Sequence, residues 1–357
     1  MRSEGSYRLP DIRLTSLTPL TSLTSLTSKL TNKTMKATNY ILFAATALAL
    51  AACSNNEDNL TTGPVEARIS AGVNTPETRA IDDQWEADEI GVMVTNAPTS
   101  NMEALYKNVK YTTTANKTTS ANFTAAGEGI FFQDAKETVT FAAYAPYQET
   151  EGNATLPGTE ADGVISGSTA NQSTREEQKK FDYIYASGAT ASRSNPKVEF
   201  KGDYTFAHKM TRLIIVLKTP HAEGFASDIV NQGTYTLGGL THSGTFNVTN
   251  GTAKADEIKA GGDWSLTENC LNEYEKSRYE LTFTAILYPQ EISSPLNFKA
   301  VIQGQTYTNS MDINPDLKAG KSYTYTITVK KTGLEVSGCT IEDWGKEPGG
   351  SGDATMQ

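Results

Sequence analysis

Apolar and polar residues alternate with a period of two along most of this chain. From Tyr279 to Leu287 the odd-numbered residues are apolar, and Ser322 to Val329 and Glu137 to Tyr144 carry the same alternation of β-branched, aromatic and polar residues. This pattern is typical of half-buried β-strands. Leu213 to Leu217 is an unbroken apolar run, which predicts a strand buried at the centre of a sheet. Because Gly, Asn, Asp and Pro turns separate these many short strands, the sequence predicts an all-β fold of β-sandwiches.

The organisation of the chain follows from breaks in this pattern. The best helix candidate is the charged segment from Thr174 to Tyr185, and a change in composition near Ser192 to Asp203 predicts a domain boundary. We therefore expect an N-terminal domain over residues 65–203 and a C-terminal domain over 204–345, followed by a Gly-rich flexible tail over 346–357.

The N-terminal region predicts export. The apolar run that ends in Leu50-Ala51-Ala52-Cys53 is similar to a bacterial lipobox, and residues 40–52 are too few for a bilayer span, which needs about 20. We expect a signal peptide over residues 35–52, a lipid on Cys53, an outer-membrane location and a polar tether over 53–64. Residues 1–34 form a Leu-Thr-Ser-like repeat that we expect to be untranslated or non-structural.

Charge and composition narrow the classes of function. The chain carries a net charge of −10 and residues 1–52 carry +4, so the exported part carries −14 (−10 minus +4). Such an acidic protein is a poor partner for nucleic acid. Cys270 and Cys339 either form a disulfide or remain two free thiols. The three histidines lack metal-site spacing and no nucleophile motif is present, so we expect no metal, no cofactor and no enzyme activity.

A series of short motifs along the chain resembles fimbrillin-like proteins of Bacteroides and its relatives. Over about residues 65–345 the order of these motifs is similar to that family: Glu77-Thr78-Arg79-Ala80, Trp85 to Val92, Phe141 to Tyr147, Phe181 to Ala186, Phe206 to Leu213, Tyr288-Pro289-Gln290, Ala319 to Tyr323, and Ile341 to Trp344. The resemblance implies two transthyretin-like β-sandwich domains with Greek-key type connections. It also implies a stalk, tip or anchor subunit of type V pili, a surface fimbrium that serves cell adhesion.

The resemblance further implies an assembly route. A subunit of this family is exported as a lipoprotein, and a protease that cuts after arginine removes its first strand. A strand from another pilus subunit then fills the groove. The candidate cleavage site is Arg79, with Ala80 as the new N-terminus; Arg68 is a weaker candidate. We expect the removable strand at a sheet edge, with one face formed by Val65, Ala67, Ile69 and Ala71. The donor-strand candidates are Val336, Cys339 and Ile341.

Two other interpretations remain open from the sequence. The first is a monomeric surface lipoprotein that binds glycans by stacking sugar rings on exposed aromatic side chains, with Trp264 and Trp344 as the candidates. The alternative for these tryptophans is that they anchor the core at the ends of strands. The second is a hydrolase whose paired carboxylates are far apart in the sequence.

Overall fold

Strands dominate the parts of the chain that the computed structural model describes, which are residues 63–73, 84–226, 228–257, 262–311 and 316–344. The predicted all-β class is therefore confirmed, whereas the division into two transthyretin-like domains stays a prediction. Cys53, Arg79, Ala80, the signal peptide and the C-terminal tail lie outside the described residues. No helix within the described ranges has the length and apolar character that crossing a membrane requires.

The strands of the described residues are short and follow one another closely. In chain order they are β1 Val65–Glu66, β2 Arg68–Gly72, β3 Trp85–Glu86, β4 Glu89–Asn96, β5 Val109–Thr112, β6 Asn116–Thr118, β7 Ser120–Ala125, β8 Phe131–Phe132, β9 Thr138–Ala145, β10 Val164–Ser168, β11 Ile184–Ser192, β12 Lys197–Phe200, β13 Ala207–His208, β14 Thr211–Lys218, β15 Thr234–Gly238, β16 Ser243–Asn247, β17 Thr252–Ala255, β18 Trp264–Ser265, β19 Leu271–Glu275, β20 Glu280–Leu287, β21 Gln290–Glu291, β22 Leu296–Ile302, β23 Gln305–Met311, β24 Asp316–Leu317, β25 Lys321–Lys330, β26 Gly333–Val336 and β27 Thr340–Asp343.

The α-helices are brief: α1 spans Met102–Leu105, α2 spans Arg175–Lys179 and α3 spans Leu266–Asn269. Helix α2 begins at a capping box in which Thr174 and Glu177 satisfy each other's backbone N–H groups. The predicted extension of this helix to Tyr185 is wrong. Ile184 instead begins β11 and pairs with β9. Tyr183 just before it is buried in a core cluster.

The N-terminal half is built on an eight-stranded sheet with the strand order β12-β2-β7-β5-β4-β9-β11-β13. Its inward-facing side chains form the first core cluster, which includes Val139, Phe141 and Ala143 of β9. Ala142 and Tyr144 of the same strand are also buried, but in another cluster on the opposite face. Strand β9 is therefore covered on both faces, which explains its nearly continuous apolar sequence.

The C-terminal half contains two sheets that share the second core cluster. Strands β19-β20-β14-β25-β26 form one sheet, with β27 also paired to β25, and β18-β15-β22-β23 form the other. Leu213 and Phe283 of the first sheet and Tyr235 and Phe298 of the second belong to the same buried cluster. Strand β14 lies between β20 and β25, as its unbroken apolar run predicts.

A three-stranded sheet and a third core cluster join the two halves. Strand β10 of the N-terminal half pairs over five residues with β16, which in turn pairs with β17. In the cluster beneath it, the rings of Tyr183 and Phe246 stack with their centroids 4.4 Å apart. Gln172 is fully buried, and its side chain donates to the carbonyl of Ile286 and accepts from the N–H of that residue. The two halves therefore share an apolar core and a buried polar contact.

Candidate functional site

Strand β2 has five residues and a neighbouring strand on each side. It pairs in parallel with β12, where Ile69 lies opposite Val198, and antiparallel with β7, where Ile69 lies opposite Phe123. The expectation of an edge strand is therefore wrong. The reason is that β12, more than a hundred residues later in the chain, returns alongside β2 and takes the edge position.

One face of β2 fills the first core cluster. The exposed fractions of Ala67, Ile69 and Ala71 are 3%, 2% and 0%, and Val65 is half-buried against the same cluster. Arg68 faces outward and is exposed. Ser70 lies on the same outward face but is buried, with an exposed fraction of 9%. The alternation of Val, Ala, Ile and Ala therefore corresponds to side chains that pack into the core.

Backbone hydrogen bonds continue beyond both ends of β2. The N–H of Ala67 donates to the carbonyl of Ile130 at 2.8 Å, and the N–H of Val73 donates to that of Thr119 at 3.1 Å. Removing residues 63–73 would leave unpaired N–H and C=O groups on both β7 and β12. Between these strands the apolar surface of the first core cluster would be uncovered, and we call this surface the apolar floor. We call this space, now filled by β2 and its flanking residues, the trough.

The C-terminal end of the described chain contains the donor-strand candidates, which lie along one strand of a sheet. Strands β26 and β27 both run antiparallel to β25, with Val336 opposite Ile327 and Ile341 opposite Tyr323. We call residues 333–344 the C-terminal ribbon. Val336 and Cys339 are partly buried against the second core cluster, whereas Ile341 is 48% exposed. The ribbon thus covers one edge of β25 and has a sheet partner on one side.

Trp344, at the end of this ribbon, is buried against the N-terminal half. Its ring stacks on His208, with centroids 3.9 Å apart and planes 7° from parallel, and the guanidinium carbon of Arg212 lies 5.2 Å from the ring centroid. The backbone N–H of Trp344 donates to the backbone carbonyl of Gly320 at 2.7 Å. Nδ1 of His208 lies 2.7 Å from a carboxylate oxygen of Asp182. Trp344 therefore ties the ribbon to β13 and β14.

Neither tryptophan proposed for glycan binding offers an exposed ring. The exposed fractions are 7% for Trp264 and 8% for Trp344. The indole N–H of Trp264 donates to the carbonyl of Ala170 at 2.8 Å, and its ring contacts His242 at 4.4 Å between centroids. The interpretation that these rings stack on sugars is wrong, because both rings fill interior space at the ends of strands.

The two cysteines are free thiols at opposite edges of one sheet. Cys270 immediately precedes the edge strand β19, whereas Cys339 lies between β26 and β27 beyond β25. Strands β20, β14 and β25 separate them, which corresponds to about 15–20 Å at normal strand spacing. A disulfide needs Cα atoms within about 7 Å, so this fold does not allow the bond. Among the described residues no group of His, Cys, Asp and Glu is arranged to hold a metal ion.

Two tertiary contacts that define these features have no local signal in the sequence. The Lys-Val-Glu-Phe alternation of β12 is a recognisable strand signal, but nothing local indicates its parallel pairing with β2. His208 and Trp344 both stand in the motifs quoted above, yet their stacking joins residues far apart in the chain.

The described residues form an all-β fold, and comparison with known proteins gives the family of the chain. The sequence profile of fimbrillin-like proteins matches residues 78–344. The chain belongs to the fimbrillin-like family, as its motifs predict.

Individual relatives agree with this assignment. The chain is 29% identical over 332 residues to a proposed fimbrium subunit, Fim1C, of Bacteroides uniformis, covering 90% of this chain and 99% of that protein. It is similar to the crystal structure of a proposed cell adhesion protein of Bacteroides ovatus, with a TM-score of 0.64, 29% identity, and coverage of 79% of this chain and 98% of the other. A second proposed cell adhesion protein, from Bacteroides uniformis, gives a TM-score of 0.59 and 26% identity, with coverage of 80% and 100%.

Proposed function

We propose that this chain is a structural subunit of a type V surface pilus that serves cell adhesion. The subunit reaches the outer membrane as a lipoprotein anchored through Cys53, and a protease removes its first strand by cutting after Arg79. The observation that carries the proposal is the setting of β2, a short apolar strand held between β7 and β12 and followed six residues after Val73 by Arg79.

Cleavage would change the competition for the trough. In the intact chain β2 is linked to its partners, so its effective concentration is in the millimolar range and an external strand competes poorly. After a cut at Arg79, β2 is held only by non-covalent contacts, and its dissociation is no longer opposed by a covalent link. An incoming strand would then satisfy the free N–H and C=O groups of β7 and β12 and cover the apolar floor.

Such a contact is heterologous, because the trough lies on one subunit and the inserted strand on the next. Heterologous contacts that do not close generate fibres. In this scheme the C-terminal ribbon is the element that this subunit offers to another subunit's trough, with Val336, Cys339 and Ile341 as its apolar residues.

The test uses the chain from residue 53 to 357 with Cys53→Ser, which avoids lipidation. An arginine-specific endoprotease should cut the bond after Arg79 and leave residues 53–79 bound without a covalent link to a folded core that begins at Ala80, as read by intact mass and circular dichroism. The variant Arg79→Lys should resist this protease but be cut by trypsin. After the protease is removed, a labelled peptide of residues 64–73 should displace the cleaved fragment from the cut wild-type chain and not from the uncut variant. Failure of this exchange, or unfolding of the core on cleavage, would contradict the proposal.

Lipid anchoring has a separate test. In a Bacteroides host, the wild-type chain should incorporate labelled palmitate and sediment with outer membranes, and Cys53→Ser should do neither. An unlabelled wild-type protein would contradict the assignment of Cys53.

A further inference from the structure

We propose that the trough takes a strand from a different subunit, and that the C-terminal ribbon of a second copy of this chain does not fit it. This inference rests on the proposed function, since it concerns the partner that replaces β2.

The shape and polarity of the trough set the first requirement. Five alternate positions face inward along it: Val65, Ala67, Ile69, Ala71 and Val73. The middle three are 3%, 2% and 0% exposed, and the outer two are half-buried. A fitting strand therefore needs a branched apolar residue at its centre and alanine-sized residues on both sides. Larger residues at the alanine positions would overpack a dense interior.

The second requirement is the absence of charge. The core cluster around these positions consists of aliphatic and aromatic residues, of which Tyr106 and Tyr111 carry a hydroxyl group. The nearby Lys197 and Lys201 are exposed, and Lys197 lies on the face of β12 opposite the inward-facing Val198 and Phe200. A carboxylate at an inward position would therefore be buried without a cation, which is strongly unfavourable.

The C-terminal ribbon fails the requirement on charge in every register. Five alternate positions span nine residues, so residues 333–344 offer four registers, beginning at 333, 334, 335 or 336. Glu335 takes the fully buried position of Ala67 in the first register, and Glu342 takes that of Ala71 in the fourth. In the second register Glu342, and in the third Glu335 and Asp343, take the half-buried outer positions. Reversing the strand direction leaves these sets unchanged.

The ribbon also underfills the centre of the trough. The residue that would replace Ile69 is Ser337, Gly338, Cys339 or Thr340 in the four registers, and each is smaller than isoleucine. A smaller residue leaves a cavity, which adds to the cost of the buried charge. Residues 345–357 offer no substitute, because their sequence contains no Val, Ile, Leu or aromatic residue.

In its own chain, by contrast, two acidic residues of the ribbon form ion pairs with lysines. Glu335 pairs with Lys330 and Asp343 pairs with Lys321, and both lysines belong to β25. The ribbon therefore suits the edge of a β-strand that carries lysines. The partner that fits the trough is a strand without Asp or Glu at five alternate positions, with Ile or Val at the centre and Ala-sized residues beside it. This subunit would accordingly join a mixed fibre.

The experiment compares peptides for exchange into the chain cut at Arg79, after the protease has been removed. The reference peptide is residues 64–73, the matched control is the same peptide with Ala71→Asp, and the test peptide is residues 333–344. Native mass spectrometry follows the loss of fragment 53–79, and fluorescence anisotropy gives the affinities. We expect the reference to exchange and the other two to bind at least about 100-fold more weakly. The cut chain alone should stay monomeric in size-exclusion chromatography.

The outcomes separate the two proposals. If the ribbon peptide binds within about threefold of the reference, or the cut chain polymerises alone, the inference is overturned while strand exchange itself stands. A ribbon peptide with Glu335→Gln, Glu342→Gln and Asp343→Asn should recover part of the lost affinity, and no recovery would contradict the charge argument. If the reference peptide fails to exchange, the proposed function and the inference both fall.

Discussion

Replacing Trp344 by alanine should release the C-terminal ribbon from the rest of the protein. The indole is 8% exposed, and the ring contacts that hold it are made with His208 and Arg212, which lie outside the ribbon. These contacts are therefore lost when the ribbon opens, and removing the ring destabilises the closed ribbon relative to the open one. Truncating a buried tryptophan to alanine costs about 3–5 kcal/mol. Taking the lower figure of about 3 kcal/mol, opening becomes about 100-fold more favourable.

The two free thiols supply the assay. Cys339 is half-buried within the ribbon, whereas Cys270 is fully buried and its thiol donates to the carbonyl of Thr284 at 3.1 Å. Burial raises the pKa of both thiols. In a chain with Cys53→Ser, the rate at which a maleimide labels Cys339 at about pH 8 follows the population of the open ribbon. Trp344→Ala should raise this rate about 100-fold and leave Cys270 unlabelled on the same timescale.

The matched control removes an exposed aromatic ring that lies outside the ribbon. Tyr204 is 45% exposed and lies between β12 and β13, so Tyr204→Ala should change neither labelling rate. The reasoning would be refuted if Trp344→Ala lowered the melting temperature while Cys339 reacted no faster. In that case the indole would stabilise the fold as a whole without holding the ribbon in place.

Three further predictions concern stability, each measured by chemical denaturation. Gly91→Ala should destabilise by about 2 kcal/mol, because a Cβ there would lie 2.3 Å from a buried tyrosine ring carbon. Gly127→Ala, with open space around it, should be nearly neutral. Gln172→Leu should cost about 3 kcal/mol, because it leaves both backbone groups of Ile286 without the amide partner that joins the two halves. Burial lowers the pKa of His242 to about 4, below its ordinary value of 6.5. The unfolded chain therefore binds more protons between these values, and stability should fall by about 2–3 kcal/mol from pH 7 to about pH 4.5, a loss absent in His242→Gln.

Much of the local structure follows from the sequence. The alternation in β20 and β25 and the apolar run in β14 predict strands that the structure contains, because each pattern records which face is buried. The apolar face of β2 is equally readable, since Ala67, Ile69 and Ala71 all enter the core. The order of the family's motifs also identifies the family, which the profile match over residues 78–344 confirms.

The remaining features depend on contacts between distant parts of the chain. Sequence alternation shows that β2 has a buried face, but it does not show that β12 lies beside it in parallel. The same limit applies to Trp264 and Trp344, whose polar and turn-forming neighbours leave both exposure and core anchoring open, whereas the structure buries both rings. The charged residues from Arg175 to Lys180 favour a helix, but the segment from Thr174 to Tyr185 ends in Ile184 and Tyr185, which pair with β9 as a strand.

The sheet formed by β10, β16 and β17 has a mechanical consequence. It links the half that contains the trough to the half that carries the ribbon, through five residue pairs between β10 and β16 and the stacked rings of Tyr183 and Phe246. In the fibre proposed above, tension that enters a subunit at its inserted strand and leaves through its ribbon would load this junction together with the short segment that links β13 to β14. A flexible linker would stretch under such a load, whereas a hydrogen-bonded ladder over a shared core resists extension, so each subunit would act as a stiff link in the chain of a fibre.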